Sequence, residues 1–378
     1  MKLFIDAYKV DPAAMQQLYT LNKLNFIEDG DIAVMPDVHP GYGGIPIGTV
    51  IATKNMLLPS AGGGDIGCGV AFIETDLDCP DKETISKVLS VFEEKIKELP
   101  KTYNENLVSS QLDHNYIKNI QAKAREQIRT IGGGNHFAEL QRNTRGKLCI
   151  TIHSGSRKAG KMIEDKFCRR IRKNVTTWWG RYPYDIPVDF EPCQTELGKD
   201  YMHLMKWAIR YAEENRFALS RTMLSAVEAV ISKTVNVVRY NDNVHNYITI
   251  ENFNHRNYYI HRKGAVCARK GIKIVIPGSM GTKSYLVEGL GEESAWNSCS
   301  HGAGRLRSRS MSKKLLDLEE QKEIMKDVVF NLDESTIDEA PGAYKDIDEV
   351  IGYQKDKLIK VLDTLIPVGV IKNNSERD

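Results

Sequence analysis

Residues 62–75 read GGGDIGCGVAFIET. The second half, GVAFIET (69–75), is rich in β-branched and aromatic residues and predicts a strand. The first half is a glycine loop carrying one carboxylate, Asp65, and one thiol, Cys68. A loop held by a strand places reactive groups at the rigid end of a sheet, so this stretch sets the kind of fold to expect. Working outward, IAVMP (32–36), KLCITIH (147–153), NYYIH (257–261) and IKIVIPG (272–278) also read as strands, and three of the five runs adjoin glycine-rich segments with ionisable residues. Between them, DKETISKVLSVFEEKIKEL (81–99) sets Ile85, Val88, Leu89, Phe92, Ile96 and Leu99 at helical spacing, and Pro100 closes it. A longer helix is expected from about Asp200 to Ser232, packing through Leu204, Ala208, Tyr211, Ala218, Met223 and Val227, with Arg210, Arg216 and Arg221 on a solvated face. Strict βαβ alternation is missing. The expected class is therefore α+β, with β-sheets in the core surrounded by helices, rather than a doubly wound parallel sheet.

The chain has 378 residues, a length sufficient for a sizeable core, and no linker, charge block or repeat divides it. One domain spanning 1–378 is expected. The formal net charge of +2 neither announces nor excludes a nucleic-acid binder, because a basic groove can be balanced elsewhere. No apolar run approaches the roughly 20 residues that cross a bilayer, and MKLFIDAYKV lacks a signal-peptide core, so a cytoplasmic protein without membrane contact is expected. Seven scattered cysteines and no pair of C-x-x-C elements argue for reduced thiols and against a zinc knuckle.

Several short segments carry the chemistry. Asp65 offers a hard oxygen and Cys68 a soft thiolate able to bridge two metals; the competing reading makes Cys68 a small buried hydrophobe. GGGNHFAEL (132–140) presents His136 at the end of a triple-glycine loop, with Asn135 and Glu139 beside it as hydrogen-bonding groups for a base or ribose. In HSGSR (153–157), His153 ends a strand and Arg157 follows, which suits a metal-and-phosphate site. His245, in VHNYI, is unremarkable alone and sits in what reads as a polar loop. Together Asp65, Cys68, His136, His153 and His245 form a mixed carboxylate, thiolate and imidazole set suited to one or two ions of manganese, zinc or iron. MPDVHPGYGGIPIG (35–48) adds Asp37 and His39, readable equally as a tight turn with a satisfied histidine.

SHGAGRLRSRSMSKK (300–314) is different in kind. His301 is flanked by glycines and followed by Arg305, Arg307, Arg309, Lys313 and Lys314. A neutral imidazole there is a competent nucleophile toward an α-phosphate, with cations to stabilise the developing charge. The bland reading is a flexible basic surface loop. Familiar nucleotide motifs fail: PGSMGTKS (277–284) has Thr282 where a P-loop needs glycine, and GYGGIPIG has Pro46 where a dinucleotide fingerprint needs its last glycine. His114, His203, His255 and His261 lack comparable surroundings and read as structural or solvated.

With these motifs in order, the chain resembles the RtcB-type RNA-splicing ligases, from MPDVHPGYGGIPIG through GGGDIGCG, GGGNHFAEL, HSGSR, HNYI, PGSMG and SHGAGR to EAPGAYKDID and PVGVIK. The resemblance implies an RtcB-like fold and places the family's metal ligands on Asp65, Cys68, His136, His153 and His245, with two manganese ions. It implies that His301 becomes guanylylated by GTP, and that the guanine nucleotide is held by Asn135, His136, Glu139, Ser279, Tyr344 and Lys372. The segment Gly302, Ala303 and Gly304 is implied to seat the α-phosphate. The implied substrates are RNA ends bearing a 2′,3′-cyclic phosphate or 3′-phosphate and a 5′-hydroxyl, joined through a histidine-GMP intermediate in splicing or repair. A monomer is expected, with an accessory activator protein as a further partner. The K-x-D-G tetrad of lysine-dependent ligases does not occur. One departure is that six residues, NNSERD, follow Lys372 where the family commonly stops at Lys-Gly. Two other readings stand beside ligation: a metal-dependent phosphoesterase that trims RNA ends and needs no His301, and a noncatalytic RNA or nucleotide sensor.

Overall fold

The computed structural model describes residues 1–179, 188–330 and 332–372, so NNSERD lies outside the described residues. Seven strands form one antiparallel sheet in the order Lys273–Ile276, Ser284–Gly289, Ile359–Ile371, Phe137–Asn143, Lys147–Ser154, Gly69–Asp78 and Val237–Val244. A second sheet of five strands runs Lys2–Leu3, Ile32–His39, Ile47–Thr53, Arg256–Lys263 and Asn246–Phe253. All five strands expected from sequence are present, and the class is α+β with helices packed round a nearly closed sheet core.

Period-two alternation explains how the larger sheet buries both faces. In Gly69–Asp78, Ala71 and Ile73 face a cluster that includes Phe92, Leu219 and Met223, whereas Val70 and Phe72 face Val275, Leu286 and Leu365 across the inside of the curve. The outer cluster belongs to the helices. Lys82–Glu98 matches its expected span, capped by Asp81, whose side chain accepts from the Thr84 backbone at 2.8 Å. Leu99 turns to extended backbone because Pro100 disfavours the helical region before it. Among the described residues no helix is long and apolar enough to cross a membrane.

The long helix spans Glu196–Ile231, starting earlier than expected, where Thr195 caps the Gly198 N–H. Arg210 and Arg221 are exposed, as the solvated-face reading requires. Arg216 is not. It is fully buried and donates to Gly67 O at 2.7 Å, Ser154 O at 2.9 Å and Asp242 Oδ1 at 2.7 Å. The correction has a physical cause: this stretch of helix crosses the ends of two strands, whose carbonyls point out of the ladder and need a donor. His245 also differs from expectation. It is the single residue between Val237–Val244 and Asn246–Phe253, where the chain passes from the larger sheet to the smaller, and it is 2% exposed.

Because Arg216 neutralises Asp242 in the interior, Arg216→Ala should lower unfolding stability by about 3–5 kcal/mol, the range for breaking a buried pair. Arg210→Ala, which removes an ion pair between side chains that are 53% and 34% exposed, should change it by less than about 1 kcal/mol. Urea denaturation of the two variants checks the contrast.

Candidate active site

The loop GGGDIGCG is stitched to the junction between the sheets. Gly67 N donates to Asn246 O at 2.8 Å, His245 N donates to Cys68 O at 2.8 Å, and Asn246 Nδ2 donates to Asp65 O at 3.2 Å. Gly67 has φ 76°, and a side chain there would meet the backbone of Ile209 in the long helix at 2.8 Å, so only glycine fits. These contacts bring the two sheets' strand ends together around one sulfur atom.

Cys68 Sγ lies 3.3 Å from His136 Nε2 and 3.2 Å from His153 Nε2, and His153 Nε2 lies 3.4 Å from His245 Nε2. Asp65 Oδ2 lies 2.9 Å from His136 Nε2. Two donor groups result, Asp65 with Cys68 and His136, and Cys68 with His153 and His245, each with its atoms within 4.8 Å of one another. Cys68 belongs to both. All five residues picked out in the sequence therefore converge.

Their hydrogen bonding suits a cation better than it suits one another. Ring nitrogens face each other and a thiol without enough protons to pair them all, and His245 Nδ1 is buried with no hydrogen-bond partner. His153 is oriented from behind, its Nδ1 3.1 Å from Asn135 O, which leaves Nε2 as the ligand atom. Burial, together with the neighbouring His136, holds His153 well below the usual imidazole range, so it is neutral and able to bind a metal. Burial and the Asp65 charge push the Cys68 thiol well up, so a cation bound here would displace its proton. The donor set fits a transition metal, with the thiolate as the shared ligand.

His301 stands beside this group, its ring centroid 4.8 Å from that of His245. It follows the strand Ser298–Ser300, and its backbone N–H and Nδ1 both meet Asp37 Oδ2, at 3.1 Å and 2.7 Å. Asp37 is fully buried. Burial opposes its ionisation, but the adjoining His301 outweighs that and holds the carboxyl below its usual range. An ionised carboxylate on Nδ1 fixes the proton there and leaves the Nε2 lone pair free. Gly304 permits this closeness, since a side chain at that position would lie 2.2 Å from Asp37 O. Asp37 was visible in the sequence, but nothing in the spacing of 264 residues linked it to His301.

Two cavities meet at His301. One, of about 290 Å³, contains Asn135, Glu139, Ser279, His301, Gly302, Ala303, Gly304, Tyr344 and Lys372 in its wall. These are the nucleotide-site residues inferred from sequence, except His136. The other, of about 650 Å³, is a trough holding Asp65, Cys68, His136 and His245, and His301 and Arg309 line both. Arg305, one of the cations expected to serve His301, lines the first cavity too, whereas sequence reasoning missed Phe137 and Glu339 there. Glu339 gathers Lys372 at 3.2 Å, Arg305 at 3.2 Å, Arg309 and the Tyr344 hydroxyl. Burial works against its charge, but Lys372, Arg309 and Arg305 pull its carboxyl down to about 2. The run EAPGAY gave no signal of a buried acid among cations. Glu139, by contrast, is pushed up to about 8 by burial and is held by Gln141, itself fixed by Ser284 at 3.1 Å and Thr151 at 2.7 Å.

A family profile described as "tRNA-splicing ligase RtcB" matches residues 17–114 and 94–373. The RNA-splicing ligase RtcB of Escherichia coli K12 is 35% identical over 400 residues, covering 98% of this chain and 97% of that protein. The chain belongs to the RtcB family of RNA ligases. Its likeness reaches beyond bacteria: the tRNA-splicing ligase RtcB of the archaeon Nanoarchaeum equitans is 27% identical over 426 residues, covering 90% of this chain and 88% of that one. The RNA-splicing ligase RtcB homolog 2 of Entamoeba dispar is 27% identical over 424 residues, covering 89% and 80%.

The shared sulfur generates a prediction that separates the two donor groups. If each donor group holds one ion, Cys68→Ala should abolish binding of both, whereas Asp65→Ala should spare the group of Cys68, His153 and His245 and keep one. Metal content after manganese loading and desalting, measured by mass spectrometry, should fall from two equivalents to none and to one; equal losses would contradict a bridging thiolate.

Proposed function

We propose that this RtcB-family protein is a GTP- and manganese-dependent RNA ligase that joins a 3′-phosphate or 2′,3′-cyclic phosphate end to a 5′-hydroxyl end through a guanylylated His301. The observation that carries the proposal is the Asp37 contact on Nδ1, which leaves Nε2 free on a histidine that lines both the smaller cavity and the donor-lined trough.

Guanine carries adjacent N–H donors that pair with a carboxylate, and adenine does not. In the smaller cavity Glu139 would take this role, losing the proton that burial otherwise holds on it as the base's donors pair with it, with Lys372 and Ser279 completing the polar contacts. His301 Nε2 attacks the α-phosphorus of GTP, the α–β anhydride bond breaks, and pyrophosphate leaves. Arg305 and Arg309 supply positive charge for the oxygens of that transition state. The P–N bond then breaks as GMP passes to the RNA 3′-phosphate, and the 5′-hydroxyl displaces GMP to form the phosphodiester. Asp65, Cys68, His136, His153 and His245 would hold manganese, whose chemistry when bound is to neutralise phosphate charge and acidify a coordinated nucleophile. A cyclic phosphate end is opened to the 3′-phosphate before this sequence begins.

Incubation with manganese and α-labelled GTP tests the reading. The wild type should acquire acid-labile label and seal the two RNA ends, and His301→Ala should do neither. RNA-end trimming that survives in His301→Ala without any sealing by the wild type would instead identify a phosphoesterase. Asp37→Asn should keep the fold but present the wrong tautomer at Nε2, reducing the rate of labelling by about 10²- to 10⁴-fold, the range for loss of an orienting or acid–base group.

A further inference from the structure

The trough that holds the donor cluster has one feature that ligation chemistry leaves unexplained. A groove built for a polyanion should be lined by cations and neutral donors, since a carboxylate repels phosphate. Arg157, Lys161 and Lys263 meet that requirement, yet Glu164 and Asp165 line the same wall, and whereas Asp165 holds Lys161 at 2.9 Å, Glu164 is the buried one. It lies on the helix Arg157–Trp179, is 2% exposed, and its Oε2 has no hydrogen-bond partner. A methyl group built on Gly64, the neighbour of Asp65, would lie 4.0 Å from that oxygen and 3.8 Å from Lys161 Nζ. The unpaired oxygen is therefore beside the donor cluster.

The surroundings keep Glu164 from pairing fully. Lys161 Nζ stands 4.0 Å from its Oε2 and is drawn instead to Asp165 at 2.9 Å. Lys263 donates to Tyr42 O at 2.5 Å. On the other side, the Cys168 thiol donates to Oε1 at 3.4 Å, and Asp189 takes the Ser60 N–H at 2.8 Å and Arg172 at 3.1 Å. Burial, a hydrogen bond with Asp165 and the Asp189 charge push Glu164 up to about 7, so near neutrality it exchanges a proton readily, and it is the ionised form that offers Oε2 as an acceptor. A buried acceptor without a donor costs free energy, and a ligand that brings a donor recovers it.

Of the groups an RNA strand brings to such a site, one end of the acceptor strand carries a hydroxyl and no phosphate. We propose that Glu164 is the specificity-determining residue for that end: in its carboxylate form Oε2 accepts the hydrogen bond of the RNA 5′-hydroxyl and turns away a 5′-phosphate. Lys161, which is partly exposed, flanks it to take the first internucleotide phosphate. This inference rests on the ligase reading and adds to it the atom that tells one 5′ end from the other.

The test uses the full chain loaded with manganese and Glu164→Gln, which keeps the shape and removes the charge. Three quantities are read: label transferred from GTP to His301, KM for a 5′-hydroxyl acceptor RNA in sealing, and inhibition by the same strand bearing a 5′-phosphate. The wild type should be inhibited weakly by the phosphorylated strand. In Glu164→Gln the labelling should stay intact, the acceptor KM should rise about tenfold, and the phosphorylated strand should inhibit about tenfold more tightly. Glu164→Asp should recover part of the discrimination, which a merely structural role would not give. Unchanged KM and unchanged inhibition in Glu164→Gln would overturn the proposal, as would loss of His301 labelling, which would place Glu164 in service of the metal or nucleotide. A wild type that takes label but seals no RNA would defeat the ligase reading instead.

Discussion

Everything in this molecule is arranged around a buried cluster that has too few protons for its own lone pairs. Cys68, His136, His153 and His245 press sulfur and ring nitrogens to within 3.2–3.4 Å, and burial keeps the His153 and His245 rings neutral and the Cys68 thiol protonated. An apolar core would be more comfortable there. The set persists because the surrounding structure over-determines it: Arg216 ties the Gly67 and Ser154 carbonyls together, Asn246 is stitched to the metal-side loop, and the Asn135 carbonyl turns the His153 ring. Desolvated donors held apart from water are pre-arranged for a cation, so the cost of collecting them is met by folding and not at the moment of binding.

That constraint explains the architecture. A single strand end could not present five donors of three chemical types to one point. Four neighbouring strands of the larger sheet can, because each offers a residue at or beside its end: Cys68 just before Gly69–Asp78, His136 just before Phe137–Asn143, His153 near the end of Lys147–Ser154, and His245 just after Val237–Val244, where the chain leaves for the smaller sheet. The helix Glu196–Ile231 then has to cross those same ends, and an arginine in its buried face becomes the clamp for the carbonyls left over.

Much of this was legible in the sequence, and the limits of legibility have identifiable causes. Strong local patterns read well: GVAFIET and KLCITIH are strands, and the 81–99 periodicity is the helix Lys82–Glu98 with its cap and its proline stop. Ligand chemistry also read well, because glycine-rich loops with a thiol, an acid or an imidazole are uncommon local compositions. The failures are nonlocal. Arg216 has a charged side chain at a position whose burial is decided by strand ends more than 60 residues away in sequence, at Gly67 and Ser154. The strand Val237–Val244 is masked by VRYND, whose polar residues pair along a partly exposed ladder, and so His245 read as a loop. Asp37 and Glu339 gain their meaning only from partners that the fold delivers, His301 for the one and three cations with a tyrosine for the other.

The position of His301 between two cavities completes the logic. In the proposed reaction, three polyanionic participants, GTP, the 3′-phosphate strand and the departing pyrophosphate, would repel one another in a single open cleft. A side chain that forms a covalent bond on one face of a wall and releases it on the other separates them in time and in space. The ring must then be fixed, since rotation about its side chain would exchange the reactive nitrogen, and the two bonds to one oxygen of Asp37 supply that constraint. Arg309 lines both cavities and in the proposed reaction could follow the charge from the first transfer to the second, while Arg305 lines only the smaller one, stacked on Tyr344 at 5.2 Å. On this view the arginines after His301 are not interchangeable cations of a basic loop: each is tied to the side of the wall on which its charge is needed.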